Sequence, residues 1–143
     1  MNMSKKFSTL VLIGALLSAC AINKKIEPVT QTGIESVCIK KNPAVTMDAF
    51  EPLLQRLIEE QGIKTAVYAG EKPAGCRVNV EYTARWRWDL AMYLFYAQIR
   101  VFDQSGQIGL AEYDAMMGGA NLGKFGTTEE KVTPLVRQLF ARR

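Results

Sequence analysis

The segment Val78-Asn79-Val80-Glu81-Tyr82-Thr83-Ala84-Arg85-Trp86-Arg87-Trp88 alternates apolar and polar side chains without interruption. A period of two is typical of a β-strand with one face on a core and the other in water. The segment therefore predicts a long strand. Its tryptophans should lie on the core face and its arginines on the solvent face.

Two further strands are predicted after this one. The chain should reverse near Asp89, and the next strand should have an inward face made of alternating apolar residues: Tyr93, Phe95, Ala97, Ile99 and Val101. Residues 103–106 (Asp-Gln-Ser-Gly) have the composition of a turn, and a strand over residues 108–113 follows. We expect a meander of three antiparallel strands.

The flanking segments predict two helices and two more strands. Apolar residues at helical spacing predict a helix from about Met47 to Gly62, between short strands over residues 34–40 and 63–68. A glycine-rich loop over residues 116–126 precedes a closing helix, which either Thr127 with Glu130 or Thr133 with Pro134 would begin. The order β-α-β-β-β-β-α predicts an α+β two-layer sandwich: a mainly antiparallel sheet of about five strands, with two helices on one face.

The N-terminus has the features of an export signal. Lys5 and Lys6 precede an apolar run over residues 7–17 that is too short to span a bilayer, and Leu17-Ser18-Ala19-Cys20 follows. This segment resembles a bacterial lipoprotein signal. The resemblance implies that Cys20 receives a diacylglyceryl group, that residues 1–19 are removed and that the new amine is acylated, with palmitate as a typical chain. Residues 20–33 would then be a lipidated anchor and tether, and residues 34–143 a single domain.

The same resemblance implies a location. In such lipoproteins the residue after the cysteine influences sorting, and Ala21 favours the outer membrane, on its periplasmic face. The signal also contributes two lysines to the formal net charge of +4. We therefore infer no nucleic-acid partner from the charge, and we expect the membrane to be reached through the acyl chains.

Cysteine and histidine usage restricts the chemistry. With Cys20 acylated, Cys38 and Cys76 are an even pair in an oxidising compartment, so a disulfide is expected; two buried free thiols are the alternative. The chain has no histidine, which excludes a Ser-His-Asp triad, a Cys-His dyad and metal sites that need imidazole. We predict no enzyme activity, cofactor or metal.

The glycine-rich loop comes close to a nucleotide-binding motif. Residues 118–125 (Gly-Gly-Ala-Asn-Leu-Gly-Lys-Phe) place Phe125 where a Ser or Thr must bind magnesium, so no nucleotide partner is expected. A flexible or ligand-contacting loop is the preferred interpretation.

Several residues around the predicted hairpin are candidates for a binding surface. They combine cations, aromatic rings and a carboxylate, and they are Arg85, Arg87, Trp88, Asp89, Tyr93 and Lys124. Core packing of the aromatic residues and solvation of the arginines is the competing interpretation. A carboxylate-based hydrolase would need two of the acids near strand ends, which are Asp89, Asp103, Glu112 and Asp114.

A wider resemblance covers most of the mature chain. Trp88-Asp89-Leu90-Ala91, Tyr93, the turn at Gly106, Ile108-Gly109, Ala111-Glu112-Tyr113, Gly118-Gly119 and Lys124 resemble a family of small, uncharacterised proteobacterial lipoproteins. The resemblance implies a lipid-anchored envelope protein and assigns no catalytic residues. We expect a non-enzymatic adaptor or assembly factor for an envelope protein or polymer. The alternative is a small-molecule or lipid-binding module with the glycine-rich loop as its lid.

Overall fold

A computed structural model describes residues 21–141. Its elements are strands β1 (Asn23–Glu27) and β2 (Ser36–Lys40), helix α1 (Phe50–Glu59), strands β3 (Lys64–Tyr68), β4 (Asn79–Asp89), β5 (Ala91–Asp103) and β6 (Gly106–Asp114), a 3-10 turn (Leu122–Lys124) and helix α2 (Thr128–Leu139). The predicted signal peptide, residues 1–19, and the predicted lipidation site Cys20 lie outside the described residues. No helix within residues 21–141 is long and apolar enough to cross a membrane.

The α+β class with two helices is confirmed. The strands form one mixed sheet in the order β1-β6-β5-β4-β2-β3. The meander β4-β5-β6 is antiparallel as expected, whereas β2 runs parallel to both β3 and β4. The described sheet has six strands rather than about five because β1 was not expected.

The prediction of a tether over residues 20–33 is wrong for its central part. Asn23–Glu27 pairs antiparallel with β6, and beyond it the backbone N–H of Val29 donates to the carbonyl of Leu139. β1 is an edge strand and contributes little apolar surface to the core: Ile26 is half-buried, and its neighbours are exposed lysines and a glutamate. A strand of this length and composition has no alternation of apolar and polar residues by which it could be predicted. The chain therefore joins the sheet at residue 23.

Both helices cover one face of the sheet and share its core. Leu54, Leu57 and Ile58 of α1 join Val132, Leu135, Val136 and Leu139 of α2 in one buried cluster with inward residues of the central strands. Thr127 begins α2 with a complete capping box: its side chain accepts from the N–H of Glu130, whose carboxylate accepts from the N–H of Thr127. Pro134 lies inside the helix, so the alternative start at Thr133 is wrong.

The predicted disulfide is present. Cys38 in β2 and Cys76 just before β4 are bonded, with their Cα atoms 5.9 Å apart. Because β2 pairs with β4 at Cys38 and Asn79, the bond closes the parallel part of the sheet where backbone pairing is short. It lies far from the β4–β5 turn, at the end of the sheet where β4 begins.

Candidate functional site

The β4–β5 hairpin projects beyond the rest of the sheet. β6 pairs with β5 only from Tyr96 onward, so within the described sheet residues 91–95 pair with β4 alone. The register shifts between Arg85 and Trp86, which indicates a bulge, and bulges increase the local twist of a strand. We call residues 86–93 together with the loop 115–126 that packs beside them the hairpin end.

The turn of this hairpin has an unusual residue at its tip. Leu90 alone separates Asp89 from Ala91, which pair across the two strands. Its φ of 62° lies in the left-handed region that glycine and asparagine tolerate best. The leucine side chain is also almost fully exposed. Neither the backbone conformation nor the exposure favours leucine here.

Lys124 joins the loop to the hairpin. Its Nζ lies 2.5 Å from Oδ2 of Asp89 and 2.5 Å from the carbonyl oxygen of Gly119. The ammonium also lies 5.4 Å from the ring centroid of Tyr93 and 5.0 Å from that of Phe125. The lysine is buried while Asp89 stays half-exposed. A single cation thus fixes the loop against the hairpin tip.

A second buried lysine supports this arrangement from α2. Nζ of Lys131 donates to the carbonyl of Leu94 at 3.2 Å and to the carbonyl of Lys124. It lies 5.7 Å from the ring centroid of Tyr93 and 5.4 Å from that of Tyr113. Burial lowers the pKa of Lys131, since desolvation disfavours the charged amine. Backbone carbonyls and the faces of aromatic rings surround both ammonium groups, so the two lysines have a structural role.

Of the residues predicted to form a binding surface, some are buried and support it from below, and others are exposed and could contact a partner. Asp89, Tyr93 and Lys124 do come together, but Tyr93 and Lys124 are buried and therefore position the surface without forming it. Arg85 and Arg87 are exposed, the guanidinium carbons lying 5.9 Å from the Tyr96 ring and 4.6 Å from the Phe95 ring, respectively.

The expectation that both tryptophans lie in the core is wrong for Trp88. Trp86 is half-buried, contacts Phe50 edge-on with centroids 5.7 Å apart and donates to the hydroxyl of Thr128 at 3.2 Å. Trp88 continues the same alternation beyond the reach of the helices and is mostly exposed. Period two predicts which side of the strand a residue occupies, and it does not predict where the covering layer ends.

Sequence reasoning missed most of the exposed apolar residues at this end. Besides Trp88, the hairpin end exposes five further large apolar side chains: Leu90, Met92, Met116, Met117 and Leu122. Their exposure could have been predicted from their positions, because they flank a turn or lie in a glycine-rich loop, where polar residues are usual. We call these six residues, Trp88 included, the apolar tip.

The acidic residues near strand ends have local hydrogen-bond partners or lie far apart. Asp89 and Asp103 lie at opposite ends of β5. Glu112 accepts from Tyr96 and Gln98, and Asp114 accepts from the N–H of Met116. Within residues 21–141, no three acidic or cysteine side chains gather where they could hold a metal ion.

An open groove of about 780 Å³ lies at the opposite end of the sheet. It is formed by the segment between β1 and β2, the turn after α1 and the residues after α2, which are residues 29–36, 61–64 and 140–141. No residue of the glycine-rich loop lines it. The loop instead packs on the hairpin through Lys124, so it is not a lid over this groove.

Comparison with solved structures finds matches at low sequence identity. A PelC dodecamer from Paraburkholderia phytofirmans matches 86% of this chain and 99% of its own, with a TM-score of 0.56 and 8% identity. A variant PelC dodecamer from the same organism matches 83% of this chain and 92% of its own, with a TM-score of 0.49 and 12% identity. A PDZ domain protein from Parabacteroides distasonis matches 93% of this chain and 40% of its own, with a TM-score of 0.42 and 11% identity. No protein-family model and no curated protein matches this sequence. The first match shows a shared fold.

Proposed function

We propose that the protein is a lipid-anchored lipoprotein of the cell envelope that binds an envelope protein or polymer without catalysing a reaction. The anchor is inferred from Leu17-Ser18-Ala19-Cys20 and the basic and apolar residues before it. Ala21 favours the outer membrane, where the domain would face the periplasm. The resemblance to small proteobacterial lipoproteins supports the same location.

The observation that carries the binding role is that the groove and the N-terminal entry of the chain lie at opposite ends of the sheet. The chain enters the sheet beside the glycine-rich loop, because Asn23 pairs with Asp114 at the end of β6. The groove lies where β1 has ended and β2 begins, at the other end of the sheet. A domain held to a bilayer at Cys20 would therefore keep its groove open to the periplasm.

The lining of the groove supports a polymer or peptide as the partner. Val29, Ile63 and Phe140 provide apolar surface, and they are themselves largely buried. Hydroxyl and amide groups of the connecting segment, including Thr30, Gln31 and Thr32, lie around them. Apolar surface bordered by hydrogen-bonding groups is the usual composition of a recognition site.

A site-specific crosslink tests this proposal. A photoreactive residue at Thr32 in the full chain, expressed in cells, should yield a discrete adduct with an envelope protein or polymer. The matched control carries the same residue at the exposed position Lys72, outside the groove, and a Cys20→Ala chain should lose the adduct because it is not delivered. Equal labelling at both positions would contradict a groove partner. Recovery of only a small lipid from Thr32 would support the ligand-binding alternative.

A self-assembled ring is the second candidate, favoured by the PelC match, since that neighbour is a dodecamer. The sheet leaves β1 and β3 as edges, and two edges on one chain allow head-to-tail contact between copies. Native mass spectrometry of the chain in detergent tests this candidate. A single multiple of the chain mass would support a ring, and a monomer at micromolar concentration would exclude it.

A further inference from the structure

We propose that the apolar tip, comprising Trp88, Leu90, Met92, Met116, Met117 and Leu122, inserts into the interface of the leaflet that holds the anchor. This inference rests on the proposed acylation of Cys20. It assigns a fixed orientation to the domain: the hairpin end lies in the lipid headgroups and the groove points away from them.

The first observation is the exposure of these side chains. Leu90 is 88% exposed, Leu122 78% and Trp88 69%. Within residues 21–141, six of the seven exposed large apolar side chains belong to the apolar tip, the seventh being Met47. Single exposed apolar residues are ordinary on a protein surface, but a concentration of them at one end marks a contact with an apolar environment.

The second observation is that the described chain begins at the same end. A Cβ placed on Gly118 would lie 3.7 Å from Cγ1 of Ile22, and one placed on Gly123 would lie 3.5 Å from Cδ1 of Ile22. The loop that carries Met116, Met117 and Leu122 thus packs on the second residue after Cys20. From Cys20 to Asn23 the chain can span at most about 10 Å.

This short connection favours lipid over protein as the occupant. Acyl chains on Cys20 would lie in the bilayer, so the first strand of the sheet would begin within about 10 Å of the anchor. Apolar faces of interfacial proteins enter the headgroup and acyl boundary to a depth of about 5–10 Å. The apolar tip is therefore held where it reaches the leaflet, and a protein partner would first have to displace lipid.

The types of residue also fit an interface. Tryptophan is enriched where a bilayer meets water, and leucine and methionine partition into the acyl region. The exposed guanidinium of Arg87 lies next to Trp88 in sequence and is suited to lipid phosphates.

Two buried lysines connect the parts of the chain that carry the apolar tip. Lys124 bonds to Asp89 and Gly119, which fixes the loop half of the tip to the hairpin half. Lys131 bonds to carbonyls of both parts, at Leu94 and Lys124. These bonds fix the position of the loop relative to the hairpin, so the two halves of the apolar tip lie on one connected support.

Tryptophan fluorescence of the purified, acylated chain in phosphatidylethanolamine–phosphatidylglycerol vesicles tests the proposal. The chain has two tryptophans, so the difference between the wild type and Trp88→Phe isolates Trp88 and leaves Trp86 untouched. We expect brominated lipid to quench the Trp88 signal at least twofold and to leave Trp86 nearly unchanged. Thr32→Trp in the Trp88→Phe background places the probe in the groove and should escape quenching.

The outcomes separate the two proposals. Flotation with vesicles and the mass of the N-terminal peptide report the anchor, independently of Trp88. If the chain floats and carries lipid but Trp88 is not quenched and emits as in water, the insertion proposal is overturned while the anchor stands. If Trp88 becomes shielded without being quenched, another copy of the chain covers the apolar tip, and the proposal is again overturned. If the chain carries no lipid, the proposed function itself fails.

Discussion

Replacing Lys124 and replacing Asp89, the two partners of the ion pair at the hairpin end, should lower the free energy of unfolding by different amounts. Lys124 is buried and Asp89 is half-exposed, with Nζ and Oδ2 2.5 Å apart. In Lys124→Met the apolar stem is kept, and the carboxylate left behind can be hydrated. In Asp89→Ala a buried ammonium loses the one carboxylate that it contacts within residues 21–141, and it keeps the carbonyl of Gly119 and two ring faces.

The expected magnitudes follow from this asymmetry. Lys124→Met loses two charge-assisted hydrogen bonds but also removes the desolvation cost of the ammonium, so the free energy of unfolding should fall by about 1–2 kcal/mol. Asp89→Ala leaves a buried charge incompletely paired and should cost about 3 kcal/mol. The double variant should resemble Lys124→Met, because the charge that Asp89 balanced is then absent.

Urea unfolding followed by circular dichroism measures all three variants against the wild type. The slope with urea should be unchanged, since the same surface is exposed on unfolding. A cost for Asp89→Ala no greater than that for Lys124→Met would contradict the predicted asymmetry. Simple addition of the two single costs in the double variant would contradict it as well.

Three further predictions concern stability. Replacing Cys38 and Cys76 by alanine should lower the free energy of unfolding by about 4 kcal/mol, since the bond closes a separation of 38 residues; a loss below about 1 kcal/mol in urea melts would contradict it. Burial raises the pKa of Tyr82 to about 12, so its stabilisation is complete below pH 10 and about 2–3 kcal/mol is lost as the pH rises through 12. Tyr82→Phe should make this alkaline loss shallower, and an unchanged pH profile would contradict it. Leu90→Asn should stabilise the chain by up to about 1 kcal/mol because asparagine tolerates the left-handed region, and a lower melting temperature would contradict it.

Local patterns predicted the parts of the fold that local forces determine. The alternation of residues 78–88 and the turn residues before Gly106 predicted the meander, and the spacing of Thr127 and Glu130 predicted one of two possible helix starts. The cysteine pair predicted the disulfide over the alternative of two buried free thiols, because Cys38 and Cys76 are expected to bond in an oxidising compartment. The parallel pairing of β2 was not expected, since it depends on how helix α1 returns the chain to the sheet.

The hairpin end was less accessible to prediction because it depends on distant contacts. A lysine in a glycine-rich loop is expected in water, and the burial of Lys124 follows from Asp89, which lies 35 residues earlier. Trp88 is predicted to lie in the core because it shares a side of β4 with Trp86. In the structure it is mostly exposed, since the covering layer ends before it. Strand β1 was missed because its stability comes from pairing with β6 rather than from its own composition.

Mass spectrometry of the N-terminal peptide of the chain purified from cell envelopes would establish whether the protein is lipid-anchored. We expect a peptide that begins at Cys20 and carries a diacylglyceryl thioether with an acylated amine. An intact N-terminus, or a cleaved chain in which Cys20 is a free thiol, would contradict a lipid-anchored protein and with it the orientation assigned to the hairpin end.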